Sequence, residues 1–303
     1  MQIASARVSQ GATGNWLRRR RRHEATTKIM SYILTTILAL LFAAPFIWMI
    51  SMSLQDVSQL SHYPPEFVPQ PFRWVNYPDA LSYPQRPFHI FFKNSIIYTF
   101  LATAGTVISS AIVAFGFARV QWKGREALFV LVLSTMMLPS QVTMIPQYII
   151  FKYLKWLDSL KPLVIPAWFG SAFDIFLLRQ FFLTIPRELD EAAIIDGCDY
   201  FGILWRVILP LSKPALVTVV AFSIVACWGN FMGPLIYINT SAKQVVAVGL
   251  RIFQTMAGDT GGLVQFGQIM AAAVMSLIPM LILFIAAQRY FVTGIAMTGL
   301  KEG

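Results

Sequence analysis

The sequence predicts an all-α membrane protein with six transmembrane helices. Three observations carry that expectation. Of the 303 residues, 56% are hydrophobic and only 13% are charged, where a soluble domain carries about 25% charged residues. Six apolar runs are long enough to cross a hydrocarbon core, which takes about 20 residues of helix. Positive charge gathers between those runs in places that give the chain a consistent sidedness.

The elements follow in chain order. Residues 1–28 are polar and rich in Ser, Gly and Arg, a basic tail expected to be disordered as far as its arginines. Arg18, Arg19, Arg20, Arg21 and Arg22 are consecutive, with Arg7 and Lys28 nearby. Such a run before an apolar span sets topology and touches anionic lipid. The net charge of +10 also raises nucleic acid as a partner, but no aromatic–basic interleaving or folded basic domain accompanies the run, which weighs against it. The first span is 29–51. Its basic flank and the stretch from Phe42 to Pro45 resemble a signal peptide. Pro45 would hinder cleavage, however, and the apolar run continues to Ile50, so a retained helix is expected.

Residues 54–92 contain Pro64, Pro65, Pro69, Pro71, Pro78, Pro84 and Pro87 and read as an ordered external loop rather than a helix. The second span is 94–118, followed by a basic turn with Arg119, Lys123 and Arg125. The third span, 127–150, contains Pro139 and Pro146, and a kink or broken helix is expected there. The fourth is 162–183. A charge-rich hairpin, 186–213, separates it from the fifth, 215–237. A polar connection, 239–265, leads to the sixth, 266–291, and a short tail. With the N-terminus inside, the arginine run, the turn at Arg119, the hairpin with Arg187, Arg206 and Lys213, and the tail with Arg289 and Lys301 are all cytoplasmic. Lys152, Lys155 and Lys161 go outside, a partial conflict that the first basic cluster outweighs.

The hairpin 186–213 is the most informative stretch. Pro186 suits a first helical turn. Glu188, Asp190 and Glu191 crowd that turn, where the helix dipole favours negative charge. Ala192 and Ala193 give a small, close-approach face. Gly197 supplies a position where the backbone can turn left-handed and stop the helix. A second helix is expected from Asp199 to Leu209, closed by Pro210.

The spacing Glu191-Ala192-Ala193, three residues, Gly197, nine residues, Val207, one residue, Leu209-Pro210, with Asp196 ahead of the glycine, closely resembles the EAA loop of ABC-importer permeases. Val207 stands where the family usually has Ile. Other segments resemble the carbohydrate-uptake branch, most of all its maltose-type second permease subunit: Ala114-Phe115-Gly116-Phe117-Ala118-Arg119 with Gly124; Met137-Leu138-Pro139 with Gln141 and Ile145-Pro146; Phe176-Leu177-Leu178-Arg179-Gln180-Phe181-Phe182 with Ile185-Pro186; Trp228-Gly229-Asn230-Phe231; and Gln288-Arg289-Tyr290-Phe291-Val292-Thr293-Gly294. The residues from Thr298 onward depart slightly from the branch's usual ending. The resemblance implies a type I ABC importer permease fold in a bacterial cytoplasmic (inner) membrane, multi-pass, with both termini cytoplasmic. It implies four kinds of partner: a homologous second permease, two ATP-binding subunits, an extracytoplasmic solute-binding protein and the bilayer. ATP and Mg would sit on the partner ATPase, with no cofactor on this chain. The substrate class it implies is sugars, above all oligosaccharides, with a polyol phosphate or acidic saccharide as the alternative. Coupling to the ATPase would fall to Glu191, Ala192, Ala193, Asp196, Gly197, Leu209 and Pro210.

The residues agree with what is missing. No phosphate-binding GxxxxGK[ST] loop occurs, and no catalytic or metal-ligating constellation can be assembled from His23, His62, His89, Cys198, Cys227 and the acidic residues. A transport subunit is therefore expected rather than an enzyme, with a channel, a secondary transporter, or a receptor or scaffold outside the ABC class as the competing readings. Polar and aromatic residues inside the spans are the candidates for a solute pathway, because burying them against lipid is costly: Gln141, Phe173, Asp174, Trp228, Asn230 and Phe231. The competing reading of each is interhelical packing.

Overall fold

The computed structural model describes residues 3–60, 63–64, 66–82, 88–259 and 266–299, and within these the side chains of 3–25, 57, 256–259 and 289–299 lie outside the description. The side chains of the arginine run and of the closing segment from Arg289, and the tail with Lys301, therefore lie outside the described residues. The elements described are all helical.

Helix α1 (Ile3–Ser53) carries Pro45 inside it. Its backbone is helical from Ile3, where the sequence suggested a disordered tail; arginine is a good helix former, and extending an existing helix is cheap. From Ile29 to Ile50 most of its large apolar side chains face outward, and among the described residues its most extensive helix packing is along α15 (Phe266–Gly299).

The described part of the connection after α1 carries α2 (Val57–Leu60) and α3 (Asn76–Leu81), while Pro65, Pro84 and Pro87 lie outside the described residues. Side-chain amides do the ordering. Gln55 donates to the Glu66 carbonyl (2.7 Å), Gln59 to the Gln70 carbonyl (2.6 Å) and Asn76 to the Ser53 and Gln55 carbonyls (2.9 and 3.0 Å). An Arg73–Asp56 ion pair adds to them.

Helix α4 (Phe88–Ala118) is the central strut. It contributes to all three buried clusters: Phe88 and Phe91 to one, Tyr98 and Ala102 to a second, and the stretch from Ala111 to Ala118 to the third. Small residues along it let neighbours approach, as membrane helix packing requires. A Cβ on Gly105 would lie 2.5 Å from the Trp168 ring.

The third span breaks as its prolines suggested, at Pro139 rather than Pro146. Helix α5 (Arg125–Ser134) tightens into a 3₁₀ turn at Thr135–Met137. Leu138 and Pro139 are extended, and α6 (Ser140–Tyr153) leaves at 97°. The residue before a proline is pushed out of the helical region, which stops the first half at Leu138. The fourth span is also interrupted. Helix α7 (Lys161–Val164) and a 3₁₀ turn at Pro166–Phe169 end at Gly170 (φ 87°), and α8 (Ala172–Thr184) begins after it.

The hairpin consists of α9 (Glu188–Ile195), then α10 (Tyr200–Ile203), a π-helical stretch at Leu204–Ile208, and α11 (Leu209–Leu211). Pro210 does not close the second arm; it sits in the first turn of α11, where its missing N–H is harmless. The chain turns by 82° into α12 (Lys213–Trp228). The fifth span ends at Trp228 rather than 237, because Gly229 and Asn230 turn the chain before α13 (Met232–Tyr237). Within the stretch read as a polar connection lies a further helix, α14 (Val246–Asp259). It buries Phe253 against Phe88, and α15 completes the chain around Pro279.

Among the described residues, four helices are long and apolar enough to cross a membrane: Thr26–Ser53 in α1, α4, Lys161–Thr184, and Phe266–Gln288 in α15. The bent pairs α5–α6 and α10–α12 pass the same test together. The bundle has two chemically distinct ends. At one, the Asn94 amide donates to the Ala242 and Gln244 carbonyls (3.0 Å each). Near it, the Asp158 carboxylate accepts from the Asn239 and Thr240 N–H groups (3.1 and 2.7 Å), the Thr240 hydroxyl (2.8 Å) and the Lys243 ammonium (2.7 Å). Lys243 first and Thr240 next hold that carboxyl well below the usual range. At the other end lie the Arg119 turn and the hairpin.

Candidate functional site

The local sequence of α9 accounts for its geometry. Asp196 caps its C-terminus, and Gly197 follows at φ 81°. The Gly197 N–H donates to the Ile194 carbonyl (2.9 Å) and the Cys198 N–H to the Ala193 carbonyl (2.9 Å). These paired bonds make a Schellman closure, which consumes carbonyls that a helix end leaves free. Asp199 then starts the second arm by accepting the Gly202 N–H (2.7 Å).

The alanines expected to share a face do not. Ala193 is buried among Ile203, Leu204 and Phe182, while Ala192 is exposed beside Glu191. Adjacent helical residues point about 100° apart, so one alanine seats the helix and the other remains on its surface. Asp196, Gly197 and Pro210 are exposed and Leu209 is half-buried. A Cβ on Gly197 would meet nothing within 4 Å, so its role is set by the backbone and not by close approach. Around Ala192 the hairpin presents Leu189, Ile194, Ile195, Tyr200, Phe201 and Trp205 to the outside, Ile195 at 86% exposure. The exposed surface of the hairpin is therefore rich in large apolar side chains, with the carboxylates Glu188, Glu191, Asp196 and Asp199 between them.

Sequence reasoning assigned Arg119 and Arg179 no site role. Arg119, directly after α4, is 3% exposed at its side chain. It donates to Asp190 Oδ2 (3.0 Å) and to the Phe182 and Ile185 carbonyls (2.5 and 2.7 Å). Burial pulls the Arg119 guanidinium below its ordinary value and pushes the Asp190 carboxyl up; the attraction between them opposes both shifts. Arg179, on α8, donates to both carboxylate oxygens of Glu126 (3.0 Å each) and to the Phe117 carbonyl (3.3 Å). Its guanidinium lies 4.1 Å from the centre of the Phe129 ring. No local pattern reveals these pairs, whose partners are 71 and 53 residues apart.

The six pathway candidates occupy three places. Gln141 is exposed in the first turn of α6, at the break. Phe173 is exposed at the start of α8, its ring centre 6.1 Å from that of Phe222. Asp174 beside it is buried in the first turn of α8, its N–H directed at the Ser171 hydroxyl (3.5 Å). The remaining three lie at the end of α12. The Trp228 indole N–H donates to the Ser276 carbonyl (3.1 Å). The Asn230 amide donates to the Tyr98 hydroxyl (2.9 Å) and accepts from the Gly233 N–H (3.2 Å). Phe231 packs into the cluster around Tyr237. Trp228 and Asn230 thus bind neighbouring helices together, the packing role that competed with a pathway role.

A bundle of apolar helices, bearing at one end a clamped hairpin with an apolar outer face, defines a membrane-embedded transport subunit. The chain belongs to the family of binding-protein-dependent transport system inner membrane components, whose profile matches residues 106–297. It is 32% identical over 290 residues to the trehalose/maltose transport system permease protein MalG of Thermococcus litoralis, covering 92% of this chain and 99% of that protein. It is 31% identical over 272 residues to the sn-glycerol-3-phosphate transport system permease protein UgpE of Yersinia pestis, covering 88% of this chain and 95% of that one. Among solved structures, a bacterial ABC transporter involved in the import of the acidic polysaccharide alginate contains a similar chain, with a TM-score of 0.77 and 26% identity over 89% of this chain and 98% of that one. The protein is a permease subunit of a binding-protein-dependent ABC importer.

Proposed function

We propose that this subunit imports an oligosaccharide across the cytoplasmic membrane, paired with a homologous permease and driven by two ATP-binding subunits that dock on the hairpin. One observation carries the docking: the exposed apolar side chains Leu189, Ile194, Ile195, Tyr200, Phe201 and Trp205, interspersed with exposed carboxylates including Glu191, on a hairpin whose first helix is closed at Gly197. An exposed apolar patch rimmed by charge marks a protein contact. The family's ATP-driven mechanism supplies the partner, and the Glu191 carboxylate would pair with a base on it. Both termini are cytoplasmic in this reading. The grouping of Arg119, Arg187 and the hairpin at one end, away from Asp158 and Lys243, supports that orientation. The saccharide assignment is supported by relatives named for trehalose and maltose and for arabinooligosaccharides, and by the alginate importer. The relative named for sn-glycerol-3-phosphate favours a polyol phosphate as the second reading. Of the six candidates, Gln141 and Phe173 retain free surface and are the proposed pathway contacts on this chain.

The test is copurification. The tagged chain should bring down an ATP-binding subunit from solubilised membranes, and Ile195→Asp should release it while the chain remains in the membrane. A wild-type chain that captures no ATPase overturns the proposal. The ligand of the captured solute-binding protein, oligosaccharide or polyol phosphate, decides between the two substrates.

A further inference from the structure

The covalent chain joins α9 to α8 on one side and, through the second arm, to α12 on the other. Neither connection reaches α4 or α5. Side chains make that link. Arg119, which ends α4, holds three acceptors with one guanidinium: Asp190 in the first turn of α9, the Phe182 carbonyl in the last turn of α8, and the Ile185 carbonyl just beyond it. Both carbonyls lie at the C-terminal end of α8, where the Phe182 carbonyl also accepts the Ile185 N–H (3.2 Å). Arg179 repeats the device one turn deeper. It joins α8 to Glu126 in the first turn of α5 and to the Phe117 carbonyl near the end of α4. Planar guanidinium forks with several acceptors fix orientation as well as distance.

The second arm has a different construction. It contains the π-helical stretch Leu204–Ile208 and the 82° bend into α12. Single π-helical turns of this kind are rare and frequently sit at functional sites.

We infer that Arg119 is a positioning residue for energy coupling: it makes the docked helix α9 move as one body with the ends of α4 and α8, to which Arg179 ties α5, and leaves the bending to Leu204–Ile208. This rests on the docking reading of the hairpin. ATP-driven displacement of α9 then reaches the second and fourth spans directly through Arg119 and the third through Arg179 and Glu126, and the fifth through the second arm. The pair is well suited to transmission because it is buried. A buried ion pair adds little net stability, but removing one partner strands the other, so the two ends stay together throughout a stroke.

The experiment uses the whole importer, reconstituted with its ATPase and solute-binding protein. Asp190→Asn removes the charge and keeps the shape. The expected result is a complex that assembles and hydrolyses ATP at its basal rate. Stimulation by the loaded solute-binding protein, and uptake with it, falls by roughly 5- to 150-fold, the range of a coupling free energy. Arg119→Lys, which keeps the charge but loses the fork, should fall in the same direction. Wild-type stimulation in Asp190→Asn overturns the inference. Loss of ATPase binding also overturns it, because the pair would then shape the docking surface itself. A second measurement leaves the pair and the named docking side chains in place: spin labels at Lys123 and at Arg187, just ahead of α9, should keep one separation with and without ATP. A separation that changes with nucleotide refutes the single body. Failure of the wild-type chain to bind any ATPase would instead refute the docking reading, and is seen at the assembly step.

Discussion

Gly197 allows backbone conformation to be separated from side-chain bulk. It sits at φ 81° with its N–H and that of Cys198 closing α9. A Cβ there meets nothing within 4 Å, so a substitution adds no clash and its cost is that of the left-handed backbone alone. For an ordinary L-residue that is about 1–2 kcal/mol; Asn, whose side chain can bond locally, is lower, and a β-branched residue higher. A cost of about 1 kcal/mol reduces the closed turn roughly fivefold against its open alternatives. The perturbation is the series Gly197→Asn, Gly197→Ala and Gly197→Val in the reconstituted importer, read by ATPase stimulation by the loaded solute-binding protein beside uptake. The expected order of activity is Gly, Asn, Ala, Val. Asn is larger than Ala yet better tolerated at positive φ, so that pair decides the matter. If Ala outperforms Asn, bulk governs and the backbone argument fails.

Two further outcomes are expected from packing and charge. Gly105→Ala places a methyl group 2.5 Å from the Trp168 ring; overpacking of this kind costs about 1–3 kcal/mol, so the thermal midpoint of the purified complex should fall, while an unchanged midpoint would show that the Pro166–Phe169 turn yields freely. Asp158 is held below its ordinary value when folded, so its contribution is present above the ordinary carboxylate range and is lost as pH falls from about 5 downward. Acidification should therefore lower the thermal midpoint more in the wild type than in Asp158→Asn, and parallel curves would remove Asp158 from the pH dependence.

Signals that act locally are legible in the sequence. The break around Pro139 and the left-handed turn at Gly197 each depend on a few neighbouring residues. The misreadings share a cause as well. Helix α14 mixes polar and apolar residues and reads as a connection in one dimension, because its fit against Phe88 and Phe91 is visible only once α4 is in place. The end of the fifth span at Trp228 depends on Asn230 reaching Tyr98 and Gly233. The orientation of Ala193, and the Arg119–Asp190 and Arg179–Glu126 pairs, are products of tertiary packing, which leaves no periodic trace. Among the pathway candidates the sequence identified polar and aromatic residues inside spans, but a side chain joined to a neighbouring helix and one open to a solute look the same in one dimension.

The Arg119–Asp190 pair also has a place in time. The carboxylate lies 71 residues after the arginine, so at 5–20 residues per second of synthesis Arg119 waits about 4–14 s for its partner. During that interval it is an unpaired cation at the end of a newly inserted helix, the state in which a charge holds its end of a span on the cytoplasmic side. In the proposed orientation one side chain therefore serves two ends in succession. It first fixes which way the second span faces, and once the hairpin is made it is withdrawn from water into the joint that ties the hairpin to that span.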